Sequence, residues 1–189
     1  NGTISTIEPV ERNVAHKIIE ECMLCANVST AKFLDKYKIP SLYRNHQGPL
    51  EEKLADLKVF LREIGLSLGT GKKKQPEPFD YGQLLEQIKD RPDYKMIQTV
   101  LLRSLCQAVY APDNIGHFGL AYDAYTHFTS PIRRYPDLIV HRQIKTVLSG
   151  KWNEKVCTTT AGNKSVEKLD EQLEEVAQHC SVTERRADD

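Results

Sequence analysis

Apolar residues recur at three- and four-residue steps along most of this chain, and that helical period limits the folds open to it more than any other feature. Val14, Ala15, Ile18, Ile19, Cys22, Cys25, Ala26 and Ser29 fall in one stripe at about 100° per residue. They predict a first long helix that starts near Pro9 and buries this face in the core. Leu50, Leu54, Leu57, Leu61 and Ile64 predict a second, opened by Pro49 and stopped by Gly65. Asp80 with Gln83 forms a capping-box pattern for a short helix ending before Pro92. Met96, Ile97, Val100, Leu101, Ser104, Leu105 and Ala108 trace a further helix, and Val166, Leu169, Leu173, Val176 and Cys180 a last one. Only Tyr110 to Phe128, broken by glycine and proline and rich in aromatics, reads as short strands or extended segments. The expected fold is mainly α with a few short strands, too strand-poor for a complete sheet domain. Residues 1–189 are expected to form one unit, with Gly69–Pro78 a mobile surface loop and 151–164 an irregular connection.

Charge bears on partners. Lys+Arg and Asp+Glu number 26 each, so no polyanion partner is announced and any basic site must be local. The five cysteines are odd in number and lie mostly in apolar helical patterns, which favours reduced thiols and a cytoplasmic location over a disulfide framework. No apolar run is long enough to suggest a membrane span. Cys22-Met-Leu-Cys25 has metal-like spacing, but it sits on the predicted core face without a matching second pair, so a structural role is favoured. The aspartates are scattered, without an Asp-x-Asp-Asp cluster able to hold two divalent ions. His117 and His127 could form an acid/base pair, yet two histidines ten residues apart are an unspecific signal.

The local basic site is sought in YTHFTSPIRRYPDLIVHR, Tyr125 to Arg142. Ser130 favours an N-cap and Pro131 a first helical position. Arg133 and Arg134 then fall in a first turn, where cations repel the positive end of the helix dipole unless an anion lies between them. Arginine also matches phosphate in a bidentate way. Pro136 cannot donate to the carbonyl of Ile132 and disfavours a helical Tyr135, so the segment is a short turn followed by a new helix, or a kinked helix. Asp137 and His141, at i and i+4, form a candidate pair. The competing reading has both arginines bridging to carboxylates elsewhere. Tyr122, Tyr125, His127 and Phe128 could stack on bases or could be core. On the first helix Glu21 lies at the edge of the apolar stripe and Glu20 points away, so Glu21 is the candidate for a partly dry site; a solvated helix charge is the alternative.

HFTSPIRRYPDLIVHR resembles the signature of the ribonuclease II and ribonuclease R family, the RNB-type 3′→5′ exoribonucleases. HKIIEECMLCANVSTAKFL, His16 to Leu34, is similar to a second family block in the same order, and GHFGLAYDAY supplies the lead into the signature. The resemblance runs from about Ile4 to Gly150 and weakens through the last helix. The Arg-Arg-Tyr-Pro-Asp form looks more like bacterial ribonuclease R than ribonuclease II.

The resemblance implies hydrolysis of single-stranded RNA from its 3′ end to nucleoside 5′-monophosphates, with Mg²⁺ activating water and stabilising the leaving oxygen. It implies that Arg133 stabilises charge developing on the scissile phosphate, and that Arg134 positions that phosphate or is structural. Glu20 or Glu21 would approach the terminal nucleotide, and the helical-face argument selects Glu21. Thr129 and Ser130 would offer hydroxyl or backbone N–H contacts; Tyr125 is an RNA-binding candidate on its aromatic character. In the family the metal-binding aspartates cluster in the first part of the catalytic domain, and no such cluster is present here. The chain is therefore expected to be the incomplete helical half of an α/β RNB-type catalytic domain, inactive alone. The other half and flanking OB-type domains that hold RNA are expected in sequence outside it. A non-catalytic RNA-binding or scaffold module that keeps the fold is the alternative.

Overall fold

The computed structural model describes residues 6, 12–69, 75–150 and 164–188. Helices dominate: α1 (Val14–Lys36), α2 (Glu51–Glu63), α3 (Pro78–Ile88), α4 (Tyr94–Ser104), α5 (Tyr135–Leu148) and α6 (Lys164–Asp188). Two three-residue strands, β1 (Tyr43–Asn45) and β2 (Val109–Ala111), pair antiparallel in the register Tyr43↔Ala111, Arg44↔Tyr110, Asn45↔Val109. The mainly helical expectation with few strands holds. Of the two expected connections, residues 70–74 and 151–163 lie outside the described residues.

α2, α3 and α4 form one apolar lobe, in which Leu54, Leu57, Leu61, Tyr81, Leu84, Ile88, Ile97 and Leu101 pack together. Here the expected stripes point inward, with corrections at their ends. Leu50 is exposed as the N-cap residue of α2, so the helix opens at Glu51 and not at Pro49. Pro78 takes the first helical position of α3, which makes Glu77 the cap and Asp80 its reciprocal partner, in place of the expected Asp80–Gln83 box. α4 ends at Ser104, so Leu105 and Ala108 lie beyond it, and Met96 is exposed.

α1 departs further. Asn13 caps it, accepting from the His16 N–H at 3.1 Å, so the helix begins at Val14; Pro9 lies outside the described residues. Its buried residues are Asn27, Thr30, Ala31 and Leu34, whereas Val14, Ile18 and Ile19 are 71%, 57% and 61% exposed and Cys22 and Cys25 are also exposed. The stripe predicted as core therefore faces outward, about half a helical turn from the face that packs. The inward face combines the apolar Ala31 and Leu34 with Asn27, whose distant hydrogen-bond partners apolar periodicity does not register.

α6 lies over β2. Leu42, Tyr110, Leu173, Ala177 and Cys180 share a core, the Tyr110 N–H donates to Ser181 Oγ at 3.0 Å, and Arg44 on β1 pairs with Glu184 at 2.7 Å. The segment after β2 turns tightly. Gly116 adopts φ +82, and a Cβ there would meet the Tyr122 carbonyl oxygen at 3.1 Å, so the turn into the short 3₁₀ helix Phe118–Leu120 requires glycine.

Candidate phosphate-binding site

The predicted Ser130–Pro131 helix start is a separate turn. Residues 131–133 form it, Arg134 caps the new helix, and α5 runs from Tyr135 with Pro136 in its first turn. Pro136 enforces this break, since it has no N–H to extend a helix from Ile132. The Ser130 carbonyl accepts from the N–H groups of Arg133 and Arg134 at 3.3 and 3.1 Å. Its own N–H, expected to be free for a ligand, donates to Asp137 Oδ1 at 2.8 Å. The same oxygen accepts from Arg134 Nη2 at 2.8 Å.

Asp137 is completely buried, in the first turn of α5 where the helix dipole favours a carboxylate. It does not pair with His141. That ring lies stacked on Phe128, with centroids 4.2 Å apart, and its Nε2 is 2.9 Å from the Phe128 carbonyl oxygen. Three further polar atoms of this turn, Thr129 Oγ1, Arg134 Nε and Asp137 Oδ2, are buried without a hydrogen-bond partner among the described residues. Arg133 is exposed, and its guanidinium makes no ion pair or hydrogen bond among the described residues. Thus one arginine of the pair is neutralised internally and its neighbour is not.

Arg134 stands between two open clefts. One of about 320 Å³ is lined by Glu20, Asn27, Tyr125 and Arg134, together with Arg12 and His16. The other, about 500 Å³, is lined by Tyr110, Arg133, Arg134, Thr183 and Glu184. Glu20 therefore shares a cleft with Arg134 and Tyr125 and forms an ion pair with Arg12, whereas Glu21 lines neither cleft. The edge-of-stripe argument for Glu21 fails because the stripe itself faces outward.

Tyr125 is 6% exposed, and its hydroxyl accepts from Asn27 Nδ2 at 2.9 Å. Asn27 Oδ1 in turn accepts from the Phe128 N–H at 3.0 Å, so one asparagine ties α1 to both ends of the segment leading into the turn. Tyr125 packs edge-on against His117 and His127, and Tyr110 reaches His127 Nδ1 at 2.8 Å. Most of these rings thus pack against one another. Burial, followed by the positive charges of Arg134 and Arg44, lowers the His127 pKa to about 3. Burial, with His46 and Arg44 nearby, lowers that of His117 to about 4. Burial pushes the Tyr110 hydroxyl up to about 12 despite Arg44, whose guanidinium lies 4.6 Å from its ring centre. Two neutral imidazoles and a protonated phenol are poor proton shuttles near neutral pH.

Among the described residues no group of three His, Cys, Asp or Glu side chains is placed to hold a metal ion, and no helix is long and apolar enough to cross a membrane. Sequence reasoning missed Asn27, Arg44, Glu184 and the true partner of Asp137. Only Asn27, a polar residue within a helical block, carried a local signal.

A family model described as the RNB domain matches residues 1–150. The chain belongs to the RNB-domain family. This RNB chain is 50% identical over 186 residues to Ribonuclease R of Escherichia coli (strain K12), a match covering 98% of this chain and 22% of that protein. Its fold is similar to that of Mycoplasma genitalium RNase R in complex with ribose-methylated single-stranded RNA, with TM-score 0.77 and 31% identity over 93% of this chain and 26% of that one. It is also similar to yeast Ssd1, described as a pseudonuclease, with TM-score 0.69 and 25% identity over 90% of this chain and 20% of the other. The chain therefore spans about a quarter of the length of these relatives.

Proposed function

We propose that this chain is part of the catalytic domain of a processive 3′→5′ exoribonuclease that hydrolyses single-stranded RNA to nucleoside 5′-monophosphates. One observation carries the reading: in the signature turn Arg134 is neutralised by buried Asp137, while Arg133 beside it is left exposed and unpaired. An uncompensated guanidinium next to a cleft is suited to bind phosphate and to stabilise the charge that develops on it during displacement. Arg133 is the residue assigned to that task, and Arg134 holds the turn. Glu20, Tyr125, Thr129 and Ser130 border the path of the RNA. Glu20 replaces Glu21 as the acidic group near the terminal nucleotide, because it shares the cleft with Tyr125 and Arg134.

Mg²⁺ is implied by the resemblance, and the described carboxylates do not fit as its ligands. The part of the reaction assigned to these residues is phosphate binding and orientation. The metal ligands, the other half of the catalytic domain and the RNA-holding OB-type domains are assigned to the remaining length that relatives possess. A cytoplasmic setting suits the free thiols of the described cysteines. The likeness to a pseudonuclease supports one other reading, a non-catalytic RNA-binding module on the same fold.

Mg²⁺-dependent release of 5′-nucleotides from a 3′-tailed single-stranded RNA separates them. In the full-length protein Arg133→Ala should lower kcat about 10²- to 10³-fold. Wild-type rates in that variant would remove Arg133 from the reaction, and an inert wild-type protein that still binds RNA would favour the pseudonuclease reading. The 189-residue chain alone should release no nucleotide; robust release would mean that its own carboxylates complete a site.

A further inference from the structure

We infer that Asp137 is a positioning residue for catalysis: by binding the Ser130 N–H and the Arg134 guanidinium through one buried oxygen, it holds the turn that presents Arg133. This rests on the reading of Arg133 as the phosphate arginine. Three observations place Asp137 at the pivot.

It is wholly buried and ion-paired, a state that requires compensation, and both of its hydrogen-bond partners come from the turn. Those contacts cross a proline-enforced break, joining residues 130 and 134 to the first turn of α5. Ser130 is thereby held on both sides, through its N–H by Asp137 and through its carbonyl by the N–H groups of Arg133 and Arg134. The backbone carrying Arg133 has little freedom left. Asp137 also makes the two arginines unequal, because it neutralises Arg134 and leaves Arg133 uncompensated beside the cleft that both line with Tyr110 and Glu184.

A positioning role has a signature that a lost phosphate contact lacks. Removing the Asp137 charge frees Arg134 as a second cation, so affinity for an anionic substrate should not fall, while the geometry of Arg133 should degrade. Asp137→Asn in the full-length protein is therefore expected to reduce kcat about 10- to 100-fold, with KM unchanged or lowered. The double variant Arg134→Gln with Asp137→Asn replaces the ion pair by a neutral amide pair that can restore the link. It should recover most of the lost kcat.

Hydrogen exchange at the Ser130 amide, slow in the wild type, should accelerate in Asp137→Asn and slow again in the double variant. Thermal melting of each variant separates loss of the turn from loss of the fold. A folded Asp137→Asn enzyme with wild-type kcat, beside an inactive Arg133→Ala enzyme, overturns the positioning role alone. So does a rise in KM at constant kcat, which would make Asp137 matter for binding instead. Full activity in Arg133→Ala overturns the reading of the site on which the inference depends.

Discussion

The α2–α4 lobe and the region where α1 meets the signature turn are held together by different forces. In the lobe, leucines and isoleucines close on one another and almost every expected stripe residue points inward. At the turn, the buried residues include Asn27, Thr30, Thr126 and Asp137; Asn27 and Thr126 bond to partners far along the chain, Tyr125 and the Leu42 carbonyl, and Asp137 bonds across the proline break to Ser130 and Arg134. The lobe needs only matching apolar surface, which many residue choices supply. The turn needs particular donors and acceptors at set positions, because a buried polar group left unpaired costs free energy that packing cannot return. The proposed site lies in the second kind of region, where buried polar side chains such as Asn27 and Asp137 depend on specific partners.

Substitutions can break that contrast. The largest stability effect is expected in the lobe: Leu61→Ala removes a side chain with no exposed surface and should cost about 2–5 kcal/mol in denaturant unfolding. A loss under about 1 kcal/mol would mean that the lobe is loosely packed. Asn27→Ala deletes both the bond to Tyr125 and the acceptor for the Phe128 N–H, and should cost about 1–3 kcal/mol. It should also slow RNA hydrolysis in the full-length protein, which Leu61→Ala should not do at temperatures where the variant remains folded.

The pH dependence sharpens the same point. His117 and His127 stay neutral in the folded chain down to about pH 4 and about pH 3, below the ordinary value of 6.5. Between those values the unfolded chain binds the extra protons. Their contribution is therefore complete above about pH 6.5 and is lost as pH falls toward 3 to 4. Each histidine adds a slope of up to about 1.4 kcal/mol per pH unit. His127→Gln should flatten the acid limb of the stability curve; an unaltered limb would show that the ring is not held neutral.

The smallest effect is expected on the outer face of α1. Ile18→Ser, at a position 57% exposed, should change the stability of the 189-residue chain by no more than about 0.5 kcal/mol. A loss of about 2 kcal/mol or more would place that face in a core and reverse the assignment of the packing side of α1.

These contrasts also explain how much could be read from sequence. The lobe was legible because apolar period and burial agree in it, as Leu54, Leu57 and Leu61 demonstrate. Pro136 announced the break before α5, and of the paired arginines Arg134 takes the competing expectation of a bridge to a carboxylate, Asp137. α1 misled because its regular apolar stripe is the exposed one, and Glu21 was chosen over Glu20 by following it.

By itself, then, the amino-acid order determined the helices, their breaks and the family signature, all of which depend on neighbours within a few residues. Only the tertiary structure decided which face of α1 turns inward, which glutamate reaches the cleft and which arginine stays unpaired. Those choices rest on hydrogen bonds whose partners lie up to a hundred residues apart or across a proline break, such as Asn27 with Phe128 and Asp137 with Ser130. Local periodicity carries no record of such partners, because a polar side chain is buried at low cost only when the distant group that satisfies it has been brought alongside.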